Sequence, residues 1–212
     1  NMNYQTGLGN IGLNFDINRV SDDNYWRDFP RGTASLTQRL LASEMGLSFN
    51  TEQLSLGLRV SKWQTLKDIA APIVPPYDRL PQFTAKYVKN NLYGFDFSIT
   101  GDVTRFSSDA SLTKQPNVNR GILHAQVSRP WINPGWFFTP KLQVHASRYA
   151  FDDVVSNGAR TANRVLPTFS LDSGLVFERD TQIFGRNVLQ TFEPRAFYTY
   201  TPYRDQSFIP LY

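Results

Sequence analysis

The chain has 212 residues, 14% of them aromatic and only 19% charged, with a net charge of +4 and no cysteine. Its 16 Arg and 6 Lys are scattered over the whole length, without the basic stripe or motif of a nucleic-acid binder, so nucleic acid is not an expected partner. No run approaches the roughly 18 apolar residues of a membrane-spanning helix, and the longest oily run, Ile69 to Val74, is cut by Pro72.

A modest mean hydropathy of −0.38 with many aromatics suits alternating strands, which a window average does not register. Asn1 to Asn10 is polar and glycine-rich, without a signal-peptide pattern, and the chain is expected to be a piece of something longer. The first strand is read at 11–17, where Ile11, Leu13, Phe15 and Ile17 alternate with polar or small residues. A polar loop, Ser21 to Thr33, leads to a second strand within 34–50. Its oily parity shifts between Leu36/Leu40 and Leu41/Met45, which predicts a bulge. A tight link at 51–53 precedes strand three at 54–61, and a proline-stiffened loop covers 66–80. Strand four is read at 81–88, with a tight turn at Lys89-Asn90-Asn91 suited to positive φ. Strand five follows at 95–104, a loop at 107–119, strand six at 123–128 and an Asn133-Pro134-Gly135 turn. Strand seven is read at 141–147, and a loop at 151–163 leads to a closing hairpin. In that hairpin the oily parity of one strand, Phe169, Leu171, Leu175 and Phe177, is matched by Phe192, Ala196, Tyr198 and Tyr200 of the next, across a break near 181–187.

About nine strands with no helix between them make the expected fold all-β. Short connections (51–53, 89–91, 133–135, 181–187) alternate with long ones (21–33, 66–80, 107–119, 151–163, and from 202). Soluble sandwiches have no reason to sort loop lengths, whereas outer-membrane barrels keep short turns on the periplasmic side and long loops outside. Several strands approach the roughly 9–11 residues that cross a bilayer when tilted. Arg59, Asp96, Asp102, Lys141, Asp172, Glu193 and Arg195 all take the polar parity, with Arg105 the exception at a strand end. Trp63, Tyr87, Trp131, Trp136, Tyr149 and Tyr200 lie near strand ends, as interfacial girdles do. An open edge is not tolerated in lipid, so further strands are required to close the barrel.

Little reads as chemistry. His124 and His145 share the polar parity on neighbouring strands and could hold a metal or serve a hydrolase, but no HExxH or GxSxG pattern accompanies them. Asp22-Asp23 with Asp28, and Asp152-Asp153, could chelate Ca²⁺, although solvated loops read the same way. Glu178, Glu193 and Arg195 suggest a cross-strand ion-pair network. Pro194 cannot donate to a ladder, so broken pairing is expected there.

The closing run NRVLPTFSLDSGLVFERD, with QTFEPRAFYTYTPYRDQSFIPLY, resembles the family of LptD (OstA, organic solvent tolerance protein), the lipopolysaccharide-assembly protein of the outer membrane. The joint occurrence of FERD, EPR and PYRDQS is its specific part, and NRVSDDNYWRDF, WQTLKD, APIVPPYDRLPQ and YGFDFSITGDVTRFS extend it nearly end to end. The resemblance implies an antiparallel transmembrane β-barrel of about 26 strands in the Gram-negative outer membrane, preceded by a periplasmic jellyroll. Residues 1–212 would form part of that single barrel domain, from its first half, without the jellyroll, the gate strands or the disulfide cysteines. The implied role is non-enzymatic insertion of lipopolysaccharide into the outer leaflet, with no cofactor. Implied partners are an LptE-type lipoprotein plug inside the barrel, lipopolysaccharide, periplasmic bridge proteins and outer-membrane lipids. Arg59, Asp96, Asp102, Lys141, His145, Asp172, Glu193 and Arg195 are then the candidates to meet the plug or lipopolysaccharide polar groups. The other readings are a porin or transporter of another family, an outer-membrane hydrolase and a soluble β-sandwich binding module.

Overall fold

The structure is a computed structural model that describes residues 2–22, 39–66, 73–155, 158–207, 209 and 212. Its main body is one antiparallel sheet in which every long strand pairs with the next. The strands are β1 (Met2–Leu8), β2 (Ile11–Ile17), β3 (Leu40–Asn50), β4 (Leu54–Thr65), β5 (Asp78–Leu92), β6 (Phe95–Ser107), β7 (Val118–Ser128), β9 (Trp136–Phe151), β10 (Thr161–Leu175) and β13 (Arg195–Tyr200). The short β8 (Trp131–Asn133) pairs only with β9. β11 (Phe177–Ile183) and β12 (Arg186–Phe192) form a separate ribbon. Among the described residues β1 and β13 are the free edges, so the sheet is open.

Alternation within each strand becomes two continuous faces because the registers align. One row, Ile11, Phe49, Leu56, Ala85, Gly101, Leu123, Ala146 and Val165, crosses eight strands without a polar side chain. A parallel row on the opposite face, Ser48, Gly57, Thr84, Asp102, Ile122, Ser147 and Arg164, is largely polar. Large hydrophobics of the apolar face stay exposed, among them Met45, Val103, Leu142 and Val165. A water-soluble fold would cover such a surface. Among the described residues no helix is long and apolar enough to cross a membrane.

The short and long connections alternate as expected, but several boundaries move. β1 lies in the stretch that composition left as a polar lead-in. It pairs with β2 on one side only, and its single aromatic, Tyr4, sits 5.4 Å from Phe15. The expected bulge near Leu41 is absent, for the β3–β4 ladder runs unbroken from Leu40 to Asn50, and Leu36 lies outside the described residues. The register instead shifts in β5 between Arg79 and Gln82, beside Pro81, which has no N–H to give. The 89–91 turn is also corrected: reversal occurs at Tyr93 and Gly94, φ 52° and 84°, and Asn91 takes φ 54° within a second register shift. Two positive φ values in a two-residue loop are the primed turn that suits strand twist. Loop 108–117 holds one helical turn, α1 (Ala110–Thr113), with the Asp109 side chain accepting from the Ser111 N–H.

The closing hairpin differs most. The 181–187 break is mostly strand, reversing at Phe184 and Gly185. The β10–β13 ladder stops at Gly174 opposite Arg195, and Glu193 and Pro194 belong to no strand. Pro194 contributes only its carbonyl, to the Leu175 N–H, while the Val176 N–H turns to the Gly135 carbonyl. The interruption expected at Pro194 is therefore present, and it detaches the β11–β12 ribbon from the sheet.

Candidate functional site

The polar face is the candidate site. At its centre, the Asp102 carboxylate accepts from Gln82 Nε2 (2.7 Å) and Thr104 Oγ1 (2.8 Å), and lies 3.4 Å from Arg120 Nη2. The Arg120 guanidinium also stacks 4.6 Å from the Phe106 ring centroid. Two strands away, Arg59 Nη2 donates to Glu44 Oε1 at 2.5 Å, and Ser61 Oγ donates to the same oxygen at 3.1 Å. Near the short-turn end, Arg195 grips Asp172 through two parallel bonds, Nε to Oδ1 at 2.8 Å and Nη2 to Oδ2 at 2.5 Å. Such a fork fixes geometry as well as charge.

Seven of the eight predicted contact residues fall on this face by register: Arg59, Asp96, Asp102, Lys141, His145, Asp172 and Arg195. Glu193 does not, because it sits in the gap between β12 and β13. The expected Glu178–Glu193–Arg195 network is corrected accordingly. Glu178 lies on the separate ribbon opposite Thr191, and Arg195 pairs with Asp172. Asp96 is already engaged, accepting from the Asn91 N–H at 2.8 Å and so bracing the Tyr93–Gly94 turn. Lys141 stands between Ser128 and Ser170. His124 and His145 are directly opposed, rings edge-on with centroids 6.2 Å apart. Among the described residues no group of three His, Asp or Glu side chains could hold a metal ion. Asp23 and Asp28 lie outside the described residues. Asp152 is bound by Arg105, and Asp153 lies 3.7 Å from Arg160.

At the long-loop end the polar face becomes an aromatic cap, which alternation did not reveal. Phe106, Val118, Tyr149, Phe151 and Ala162 are buried there, with Tyr77, Val155, Ile209 and Tyr212 packed on them. Tyr149 is therefore no girdle residue: it shares the face of Ser147 and is 8% exposed. Trp63 likewise shares the parity of Arg59 and Ser61. Tyr87, Trp131, Trp136 and Tyr200 keep to the apolar face, and Arg129 stacks on Trp131 at 5.0 Å. The segment after β13 folds back over the polar face. Arg164 Nη1 donates to Gln206, Thr168 and Thr201 hydroxyls meet at 2.7 Å, and Tyr212 Oη donates to the Pro116 carbonyl at 2.8 Å. In its bend Asp205 accepts from the Ser207 N–H, which holds the carboxyl below its ordinary range. Burial, with Tyr77 nearby, pushes the Tyr212 phenol up to about 12.

Glu44, Gln82, Arg120 and Arg164 escaped the sequence reading. Arg120 shares the parity of His124, so continuing strand six two pairs outward would have found it. Arg105 is also not the lone charge on the apolar parity, for Lys62, Lys89 and Arg148 share it near strand ends.

The family model described as LptD, LPS transport system D, matches residues 1–212. The chain is 58% identical to the LPS-assembly protein LptD of Paracidovorax citrulli over 99% of its length, which is 26% of that protein. It is 55% identical to the protein of the same name from Polaromonas sp., with 98% and 26% covered. For that of Ralstonia nicotianae the identity is 42%, with 100% and 26% covered. The chain thus spans about a quarter of the length of these curated relatives. A model match over all 212 residues, with relatives this similar, shows that the chain belongs to the LptD family.

Proposed function

We propose that this chain is a wall section of the outer-membrane machine that assembles lipopolysaccharide into the outer leaflet, within one larger β-barrel domain. The observation that carries the reading is the two-faced sheet: apolar side chains exposed on one side, and hydrogen-bonded charges on the other. A lipid-facing wall must satisfy every backbone group within its ladders and keep mid-depth charges off its outer side. The short turns then lie at the periplasmic rim, the long loops outside, and the aromatic cap on the lumenal side near the outer mouth. The polar face meets a lipoprotein plug of the LptE type, and periplasmic bridge proteins deliver lipopolysaccharide through a separate domain. The wall does no covalent chemistry; its work is to partition lipid from lumen.

A face-resolved crosslinking experiment tests this in the full-length protein produced with its plug lipoprotein. A photoreactive residue at His145 should yield a lipoprotein adduct, and one at the adjacent Val144 should yield lipid adducts. Lipoprotein adducts from position 144 with none from 145 would refute the assignment of faces.

A further inference from the structure

We infer that the outer wall carries a built site for a phosphate-headed membrane lipid, in a groove of the apolar face closed at one end by Arg148. The site rests on the lipid-facing reading of that face. The groove has a volume of about 640 Å³ and is walled by Val103, Leu123 and Val165 over a floor of Gly101 and Gly121. A Cβ added at Gly121 would meet nothing within 4 Å, and at Gly101 only the Ile122 carbonyl at 3.9 Å. Neither glycine has a positive φ, so neither the backbone nor the internal packing requires it. Glycine weakens a strand interior, and what these two give in return is space on the lipid side, wide enough for an acyl chain.

The charge at the rim selects the headgroup. Arg148 is exposed, and its guanidinium makes no ion pair or hydrogen bond among the described residues. Arg105, one register row nearer the long loops, is by contrast held by both oxygens of Asp152. Lys62 lies toward the same end of this face. Asp78, an acid at that end, is engaged by the Trp63 N–H at 2.7 Å. Beside Arg148, across the ladder, stands the neutral Asn163. A lone guanidinium at the mouth of an apolar groove complements a phosphate joined to a hydrocarbon tail, since its planar fork fits phosphate oxygens in pairs. A free phosphate would leave the groove empty, and a zwitterionic head brings its own cation against the arginine.

The test uses the full-length protein with its plug, in nanodiscs of equimolar phosphatidylglycerol and phosphatidylcholine with identical acyl chains. After transfer to mild detergent, native mass spectrometry identifies the retained lipid. Wild type should retain phosphatidylglycerol preferentially, and R148Q should lower that preference about tenfold, as loss of one charge-assisted contact predicts. G121L, which fills the floor, should release both lipids, whereas R105Q should keep the preference. Equal retention of the two lipids by wild type, an unchanged preference in R148Q, or an equal loss in R105Q would each overturn the site. A protein that fails to enter the nanodisc overturns the lipid-facing reading with it; an inserted protein without preference overturns the site alone.

Discussion

At the long-loop end of the sheet, Phe106, Val118, Tyr149, Phe151 and Ala162 are buried against one another on the polar face. At the short-turn end, Trp131, Trp136 and Phe138 are each more than a third exposed on the apolar face. The same residue class thus does two jobs. The cap aromatics bury their surface within the protein, roofed by Ile209 and Tyr212, and so form a core in the soluble-protein sense. The rim aromatics have no such roof among the described residues, and on the proposed lipid-facing reading their exposed parts would meet lipid. The cap therefore covers the polar face at its long-loop end, while hydrogen-bonded charges line its middle and its short-turn end.

If the cap is a true core, truncating it should have the largest effect. Phe106→Ala removes a ring 3% exposed that meets Tyr77, Tyr212 and the Arg120 guanidinium. It should cost about 3–5 kcal/mol, read as denaturant unfolding of the full-length protein in micelles. A cost similar to that of Phe138→Ala would erase the contrast between the ends. At the short-turn end the tight spot is Gly174, where an added Cβ would lie 2.3 Å from the Phe137 ring. Gly174→Ala should cost about 1–3 kcal/mol as overpacking. Most of that cost should vanish in the Phe137→Ala background, since the clash is with that ring; a cost that persists would place the strain in the backbone.

What the sequence makes legible follows the same division. Alternation, loop-length sorting and the break at Pro194 are local properties, and they survive into the sheet. The cap is not local. Tyr149 and Trp63 look like girdle residues because aromatics at strand ends are usual there. Only the register shows that they share a face with Ser147 and Arg59. The roof is less legible still, since Tyr212 meets Pro116 across 96 positions of sequence. Glu193 was misplaced because Pro194 ends one ladder while a separate ribbon begins beside it, and parity cannot be counted through such a break.

Between the ends, Asp102 gathers Gln82, Thr104 and Arg120. Asp102→Asn keeps the shape and removes the charge, so the expected loss is only about 1 kcal/mol. A double-mutant cycle with Arg120→Gln should show the two side chains coupled. Full additivity would mean that the 3.4 Å approach carries no energy.

A pH signature separates the roof from the rim of the same end. The Tyr212 phenol is raised by burial, with a folded value of about 12 against an ordinary value of 10.0. A raised value favours the protonated form in the folded state. Its contribution is therefore complete below about pH 10 and is lost as pH rises toward about 12. Asp152 works in the opposite direction. Its hydrogen bond from Arg105 holds the carboxyl below its ordinary 3.8, so its contribution is present above that value and fades as pH falls through the lowered one. The 295 nm phenolate absorbance should show one late-titrating tyrosine that is absent in Tyr212→Phe. A titration of the full-length protein in which Tyr212 ionises with the exposed tyrosines would mean that the roof is open in solution, and that the cap residues beneath it are as wet as the girdle.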